Sequence, residues 1–235
     1  MCLFILTLNY IVEPVTELVA GNYTSLNDIR EWLVNGVDNP ETIVDLRWHV
    51  LDEKKEDGKV VSLRVTHPSL PLDLTVTDLE RQDYKSKVVR LSVSTGIYTI
   101  DLDPDSKVTL YRKLLLLSKV PLVKPSIAGE EHEIILIVDL DKKDLSKEEF
   151  DEALNDLLTA FLYLAKVEPL SEMIEAKTTE VLQRLVAKWH EKGKSRMEAI
   201  RALTKAGLDQ RIAEEIVNQV YPGAKKERLG DMIRY

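Results

Sequence analysis

Between Ile43 and Leu102 apolar and polar residues alternate with a period of two, which is the repeat of a β-strand with one buried side. In the first run we predict that Val44, Leu46, Trp48 and Val50 face the core and that the residues between them, His49 included, face outward. The strands are predicted at 43–51, 60–66, 72–79 and 87–102, with a turn at 53–58 and a turn or bulge at 95–96. Together they predict an antiparallel meander.

Three segments with helical spacing and one strand pair surround and follow this meander. Helices are predicted at 25–34, 107–118 and 146–166, and the strand pair at 120–127 and 132–140. Asp105 or Ser106 is expected to cap the second helix, whose apolar residues cover most of its circumference and predict burial on more than one side. Ser146 and Glu149 have the spacing of a capping box. The predicted fold class is α+β, an antiparallel sheet covered by helices in the order α-β-β-β-α-β-β-α, with one additional strand near 88–93.

The last third of the sequence is helical throughout. Pro169 is predicted to end the third helix, and Ser171 to begin a helix that Gly193 ends. Two short helices are predicted at 196–206 and 210–221. We therefore divide the chain into an α+β domain over 1–168 and a helical extension over 169–235 that contains a small three-helix module.

Composition limits where this protein works. Cys2 is the single cysteine, so the chain cannot form an internal disulfide or a multi-cysteine metal site. The apolar run Met1–Leu8 is far shorter than the roughly 20 residues that a membrane span needs, and it lacks the basic flank of a secretory signal. We predict a strand or an apolar edge for Cys2–Val12, a cytoplasmic location and no membrane contact. Four glutamines in 235 residues favour a thermophilic source.

The order and spacing of the elements between residues 20 and 166 carry a resemblance. The segments concerned are Tyr111–Leu115, the hairpin that ends at Val138-Asp139-Leu140, and Leu145-Ser146 to Leu158. In this respect the chain resembles type III secretion chaperones and their YbjN-like relatives. The resemblance implies a non-catalytic protein that dimerises and holds or modulates partner proteins. The chain departs from that pattern by an additional strand near 88–93 and by about 70 further residues of helix at its end.

A second resemblance lies within residues 193–235. Its positions are Met197 to Ile200, Leu203, Gly207-Leu208, Ala213 and Ile216-Val217, which are similar to a ubiquitin-associated three-helix module. Such modules bind proteins, and some of their relatives occur on nucleic-acid enzymes. This segment holds nine Lys and Arg against six acids, a formal charge of +3, whereas the rest of the −8 chain has −11. Its candidate contacts to nucleic acid or to a partner protein are Lys225, Lys226, Arg228 and Arg234.

One acidic cluster has the start of a calcium-binding pattern. Asp101, Asp103 and Asp105 have the alternate spacing of a calcium loop. The sixth position, however, is Ser106 instead of Gly, and the twelfth is Arg112 instead of the bidentate Glu. We interpret these acids as a strand end that leads into a helix cap.

Other searches for chemistry give no reactive set. Asp139 and Asp141 end an apolar strand, but Lys142 and Lys143 follow and no glycine-rich phosphate loop accompanies them, so we interpret both acids as turn and cap residues. Each histidine lies in a different predicted element, without the spacing of zinc ligands: His49, His67, His132 and His190. No nucleophile motif occurs. We therefore predict no catalytic residue, no metal and no cofactor.

These observations lead to two hypotheses about function. The first is a non-catalytic adaptor or chaperone-like regulator that binds a protein partner and forms a homodimer. The second is a nucleic-acid-associated or ribosome-associated factor that binds through the basic C-terminal module. Steep salt dependence would favour the second, because contacts to phosphates release counterions.

Overall fold

The computed structural model describes residues 23–35, 47–80, 87–117 and 119–221. Within them the chain has the α+β fold that the sequence predicts, with helices on a six-stranded antiparallel sheet and a helical C-terminal region. The helices are α1 (Leu26–Asn35), α2 (Pro104–Leu117), α3 (Lys147–Ala165), α4 (Glu168–Glu191), α5 (Arg196–Lys205) and α6 (Gln210–Val220). The strands are β1 (His49–Glu56), β2 (Lys59–His67), β3 (Leu70–Glu80), β4 (Lys87–Tyr98), β5 (Lys124–Ala128) and β6 (Glu133–Asp141). The segments predicted at 2–12, 43–46 and 222–235 lie outside the described residues.

The six strands form one sheet in the order β1-β2-β3-β4-β6-β5. The first four strands are the predicted meander. After α2 the chain forms the β5–β6 hairpin, and β6 rather than β5 pairs with β4, with Leu91 opposite Val138 and Val93 opposite Leu136. β6 therefore becomes a central strand, which agrees with its continuous apolar sequence.

One face of the sheet holds the main core. Neighbouring strands place Leu63, Val76, Leu91 and Val138 in cross-strand contact on this face, and all four are fully buried. α1 and α3 cover it, and the two helices meet where Trp32 and Phe150 lie 5.7 Å apart between ring centres. Alternation in the strands and helical spacing in the two helices thus produce the same buried layer.

The opposite face is polar, and α4 crosses part of it. Arg64 donates from Nε to Asp73 at 2.6 Å, while Lys177 and Arg184 reach the same carboxylate from α4 at 3.6 and 3.8 Å. At the β1 end of this face the contact is apolar, because His49 packs edge-on against Trp189 at 5.4 Å. The prediction that this side of β1 faces outward is therefore wrong, since a helix far along the chain covers it.

The C-terminal helices form a second, smaller core. It contains Leu51 of β1 together with buried residues of α4, α5 and α6, among them Val181, Leu203 and Ile216. α4 also contributes Leu170 to the main core. The third helix of this cluster is thus the C-terminal half of α4. The predicted boundary at 168/169 falls at the start of this helix and stays a prediction.

Several predicted element ends are confirmed and others move. Ser146 and Glu149 form the predicted capping box at the start of α3. The predicted turn at 53–58 shortens to Asp57-Gly58, both with positive φ, because the charged residues before it extend β1. Pro169 does not end a helix but lies in the first turn of α4, where a missing backbone N–H removes no helical hydrogen bond.

Candidate interaction surface

α2 begins with a cap formed by Asp103 rather than by the predicted Asp105 or Ser106. The Asp103 carboxylate accepts hydrogen bonds from the backbone N–H groups of Asp105 and Ser106 at 2.9 and 3.0 Å, and from the Ser106 hydroxyl. The hydrogen bonds from Ser106 lower the pKa of this carboxylate. The aspartate cluster of the sequence therefore begins a helix, as the sequence interpretation proposed.

The inner side of α2 rests on the main core. Only Leu110 and Leu117 of this helix are buried, and Leu114 packs partly against the same core. On the side toward α3, the Lys113 ammonium lies 5.4 Å from the centre of the Tyr163 ring, a cation–π distance. The prediction that α2 is buried on more than one side is wrong. α2 has a single buried side because it packs at the margin of the sheet, beside the edge strand β5, and not across its middle.

The outer side of α2 carries an apolar stripe. Val108, Tyr111 and Leu115 are separated by three and four positions and so share one face of the helix. All three are exposed, Leu115 to 73%. Leu116 is a further exposed apolar residue beside them. We call these four residues the α2 stripe.

Basic residues flank the α2 stripe. Arg112 and Lys119 are exposed and Lys107 is half-buried, and no ion pair among the described residues involves any of the three. Asp105 is the one acid between residues 104 and 119. The outer face of α2 is therefore apolar and locally basic, although the net charge of the chain is −8.

An acidic groove lies beside the segment that follows α2. It has a volume of about 690 Å³ and lies between Pro121-Leu122, the end of β6 and the first half of α3. Leu122, exposed to 55%, forms one wall. The acids that line the groove are Asp141, Asp144, Glu149, Glu152 and Asp156. Two of them have local roles, since Asp141 accepts from the Lys143 N–H and Glu149 from the Ser146 N–H.

Residues that the sequence singled out for chemistry have structural partners. Asp139 is not a turn residue, because its carboxylate pairs across the sheet with Arg90 through two hydrogen bonds of 2.7 and 2.9 Å. These bonds raise the pKa of Arg90. His67 and His190 make edge-on ring contacts with Trp48 and Tyr221. Within the described part of the chain, no three His, Cys, Asp or Glu side chains gather as metal ligands would.

The predicted C-terminal contacts are outside the described residues. Lys225, Lys226, Arg228 and Arg234 all follow Tyr221, where the description ends. Their role as contacts therefore stays a prediction. None of the described helices combines the length and apolar composition that crossing a membrane requires.

The sequence interpretation missed the α2 stripe, although a signal for it was present. Four consecutive leucines, Leu114 to Leu117, cannot all face one side of a helix, so at least one must point away from the core. Arg112 lies four positions after Val108 and three before Leu115, so it falls on their side of the helix and marks that side as the outer one. The leucines alone predict burial on more than one side, whereas the position of Arg112 indicates an exposed side.

A comparison with protein families identifies the region that carries this surface. Residues 28–167 match the model of a family described as a domain of unknown function, DUF8183. The chain belongs to the DUF8183 family. The matched region covers more than half of the chain, from within α1 to the residue before α4, and so includes the sheet, the α2 stripe and the acidic groove. No curated protein matches the chain.

Proposed function

We propose that this protein is a non-catalytic adaptor or chaperone-like regulator that binds a protein partner through the α2 stripe. The observation that carries the proposal is the exposure of Val108, Tyr111, Leu115 and Leu116 side by side on one helix. Contiguous exposed apolar residues with a polar rim are a common mark of protein-binding surfaces. The resemblance to secretion chaperones, which hold partner proteins without catalysis, supports the same function.

The size of the α2 stripe favours a transient complex. Burying one Leu-sized side chain completely contributes roughly 1.5–3 kcal/mol, so four side chains that are already partly buried contribute about 3–6 kcal/mol. Association itself costs roughly 4–15 kcal/mol in lost freedom of motion. The stripe alone is therefore too small for a permanent complex, and contacts around it must contribute as well.

A photo-crosslinker at the centre of the α2 stripe tests this function. We expect full-length protein with p-benzoylphenylalanine at position 111 to crosslink to defined proteins in an extract of its native host. Tyr111 is exposed and aromatic, so the replacement fits its surroundings. The matched control carries the crosslinker at Ile212, an exposed apolar residue of α6. Crosslinks at position 111 that are no stronger or more selective than those at 212 would reject the function.

The protein is further proposed to be a cytoplasmic homodimer from a thermophile. The single cysteine supports a reducing compartment, the scarce glutamines support a hot habitat, and the chaperone resemblance supports the dimer. Light scattering during size-exclusion chromatography is expected to give twice the chain mass of 26.8 kDa. A strict monomer at micromolar concentration would rule out the dimer and leave the binding function in place.

A further inference from the structure

The α2 stripe and the charges around it define the chemistry of a partner. Building on the proposed protein-binding function, we propose that the α2 stripe docks an acidic amphipathic helix of a partner protein. The apolar face of that helix would cover Val108, Tyr111 and Leu115, and its carboxylates would meet Arg112 and Lys119.

The shape of the surface favours a helix as the occupant. α2 presents side chains at spacings of three and four, a ridge of the kind that packs into the groove of another helix. From Val108 to Leu115 the stripe is about 10 Å long at 1.5 Å per residue, which matches two turns of a partner helix. An extended segment would instead need a sheet edge for its backbone hydrogen bonds, and the stripe is on a helix.

The charges favour an acidic occupant. Exposed Arg112 lies beside the stripe on the outer side of α2, exposed Lys119 follows the C-terminal end of this helix, and neither forms an ion pair with a described residue. Lys113, by contrast, is directed to the Tyr163 ring on the inner side. Rim charges of this kind act mainly on partner choice and association rate, so they select an acidic helix over a basic one.

The acids at both ends of the stripe favour a helix over an anionic lipid surface. Asp101, Asp103 and Asp105 are exposed before and at the start of α2, and the acidic groove follows at its other end. A flat anionic membrane that reached Arg112 and Lys119 would also meet these acids. A helix of two or three turns can place its carboxylates between the two acidic regions.

Peptide selection against the full-length chain tests the inference. The library displays helical peptides with one leucine face, and their flanking positions vary among Glu, Lys and Ser. Peptides that also bind the V108S/L115S variant are removed. We expect the remaining peptides to be rich in Glu at the flanks.

Charge reversal supplies the second arm. The variant R112E/K119E is expected to weaken binding of the Glu-flanked peptide roughly tenfold and to strengthen binding of the same peptide with Lys flanks. The matched control, M197S/I212S, changes two similarly exposed residues of α5 and α6 and is expected to bind like the original chain. Circular dichroism should show the same helical signal for all variants, since every changed side chain is at least partly exposed.

The outcomes separate the inference from the proposed function. Stripe-dependent peptides with Lys or neutral flanks would overturn the acidic partner and leave protein binding in place. Stripe-dependent binding to phosphatidylserine vesicles that exceeds binding to the Glu-flanked peptide would also overturn it. The absence of any stripe-dependent peptide from the selection would overturn the inference, whereas crosslinking at position 111 decides the proposed function separately.

Discussion

At the scale of single residues, Asp73 is a buried carboxylate that contacts three cationic side chains. Its side chain is 4% exposed and faces Arg64 from the sheet and Lys177 and Arg184 from α4. Burial alone would raise the pKa of this carboxyl. The hydrogen bond from Arg64 and the charges of Lys177 and Arg184 outweigh burial and lower the pKa. One carboxylate thus holds together three cations from two parts of the fold.

We expect Asp73→Asn to lower the free energy of unfolding by about 3 kcal/mol at pH 7, because it leaves three neighbouring cations without their shared anion. Urea unfolding measures this change. The matched control is Glu56→Gln, which removes an exposed carboxylate that pairs with Lys54 at 2.8 Å, and it should change stability by less than about 0.5 kcal/mol. Equal effects in the two variants would show that burial at Asp73 adds nothing to its ion pairs.

The same carboxylate gives the protein an acid-sensitive contribution to stability. The folded pKa of Asp73 is lowered, so its contribution is fully present above the unfolded value of about 3.9 and is lost as pH falls through the folded value. We expect the difference in stability between the original chain and Asp73→Asn to be constant from pH 7 to about pH 5 and to shrink below pH 4. If the difference in stability between the two proteins instead grows on acidification, the pKa of Asp73 is not lowered in the folded protein.

At the scale of elements, the approach of α4 to the sheet depends on Gly96. This residue has a φ of +73° at the bulge in β4, and a Cβ placed on it would lie 2.5 Å from the Lys177 Cβ and 3.2 Å from the Met173 carbonyl oxygen. The second contact is with the α4 backbone, which cannot move without the helix. The sequence predicted a turn or bulge at this point but could not indicate that a helix packs on it.

We expect Gly96→Ala to destabilise the fold by about 3 kcal/mol, the sum of roughly 1–2 kcal/mol for the left-handed backbone and a similar amount for displacing α4. Thermal unfolding and urea unfolding both measure this loss of stability. Gly129→Ala is the matched control, because Gly129 has a φ of +69° and its added Cβ would meet nothing within 4 Å. If both variants lose the same stability, only backbone strain matters and α4 does not press on Gly96.

The elements that the sequence predicted well are those set by neighbouring residues. The capping box of Ser146 and Glu149 depends on residues three apart, and the strand alternation on residues two apart. Long-range packing could not be predicted in the same way. Leu51 is buried by Val181 and its neighbours, some 130 residues later, and the exposed side of α2 is decided by α3 and the sheet. Local spacing shows that a face is apolar, but not which face a distant helix will cover.

At the scale of the whole molecule, α4 joins two cores. Leu170 and Ile174 belong to the main core, whereas Val181 and Trp189 belong to the smaller cluster with α5 and α6. Because the single continuous helix α4 is buried in both cores, unfolding of one core should also unfold the other. The family match ends just before this helix, so the matched region does not include the helix that joins the two cores.

We expect the described cores to unfold in one transition. In the variant W32F/W48F, fluorescence reports Trp189 in the smaller cluster, and circular dichroism reports all helices. In W48F/W189F, fluorescence reports Trp32 in contact with the main core. In each variant the two signals should have the same urea midpoint, the usual test of two-state unfolding. Separate midpoints would instead favour an independently folded C-terminal module.

The nucleic-acid hypothesis is tested at the same scale. If Lys225, Lys226, Arg228 and Arg234 bind phosphates, affinity for a single-stranded RNA probe should fall steeply with salt and disappear when residues 222–235 are deleted. We expect instead that RNA binding is weak and that the deletion leaves it unchanged. Strong, salt-dependent binding that requires these residues would favour the nucleic-acid function over the adaptor.

The position of β6 between β4 and β5 bears on how the protein is made. On the side away from β3, Val89, Leu91 and Val93 of β4 pair with residues between Leu136 and Leu140, more than 40 residues further along the chain. During translation the edge of β4 that pairs with β6 therefore stays unpaired until about residue 141 has left the ribosome. An open strand edge with apolar neighbours is prone to association with other chains, and non-local pairing slows folding. Synthesis that pauses before β6 should yield nascent chains that aggregate, and synthesis that pauses after α4 should not.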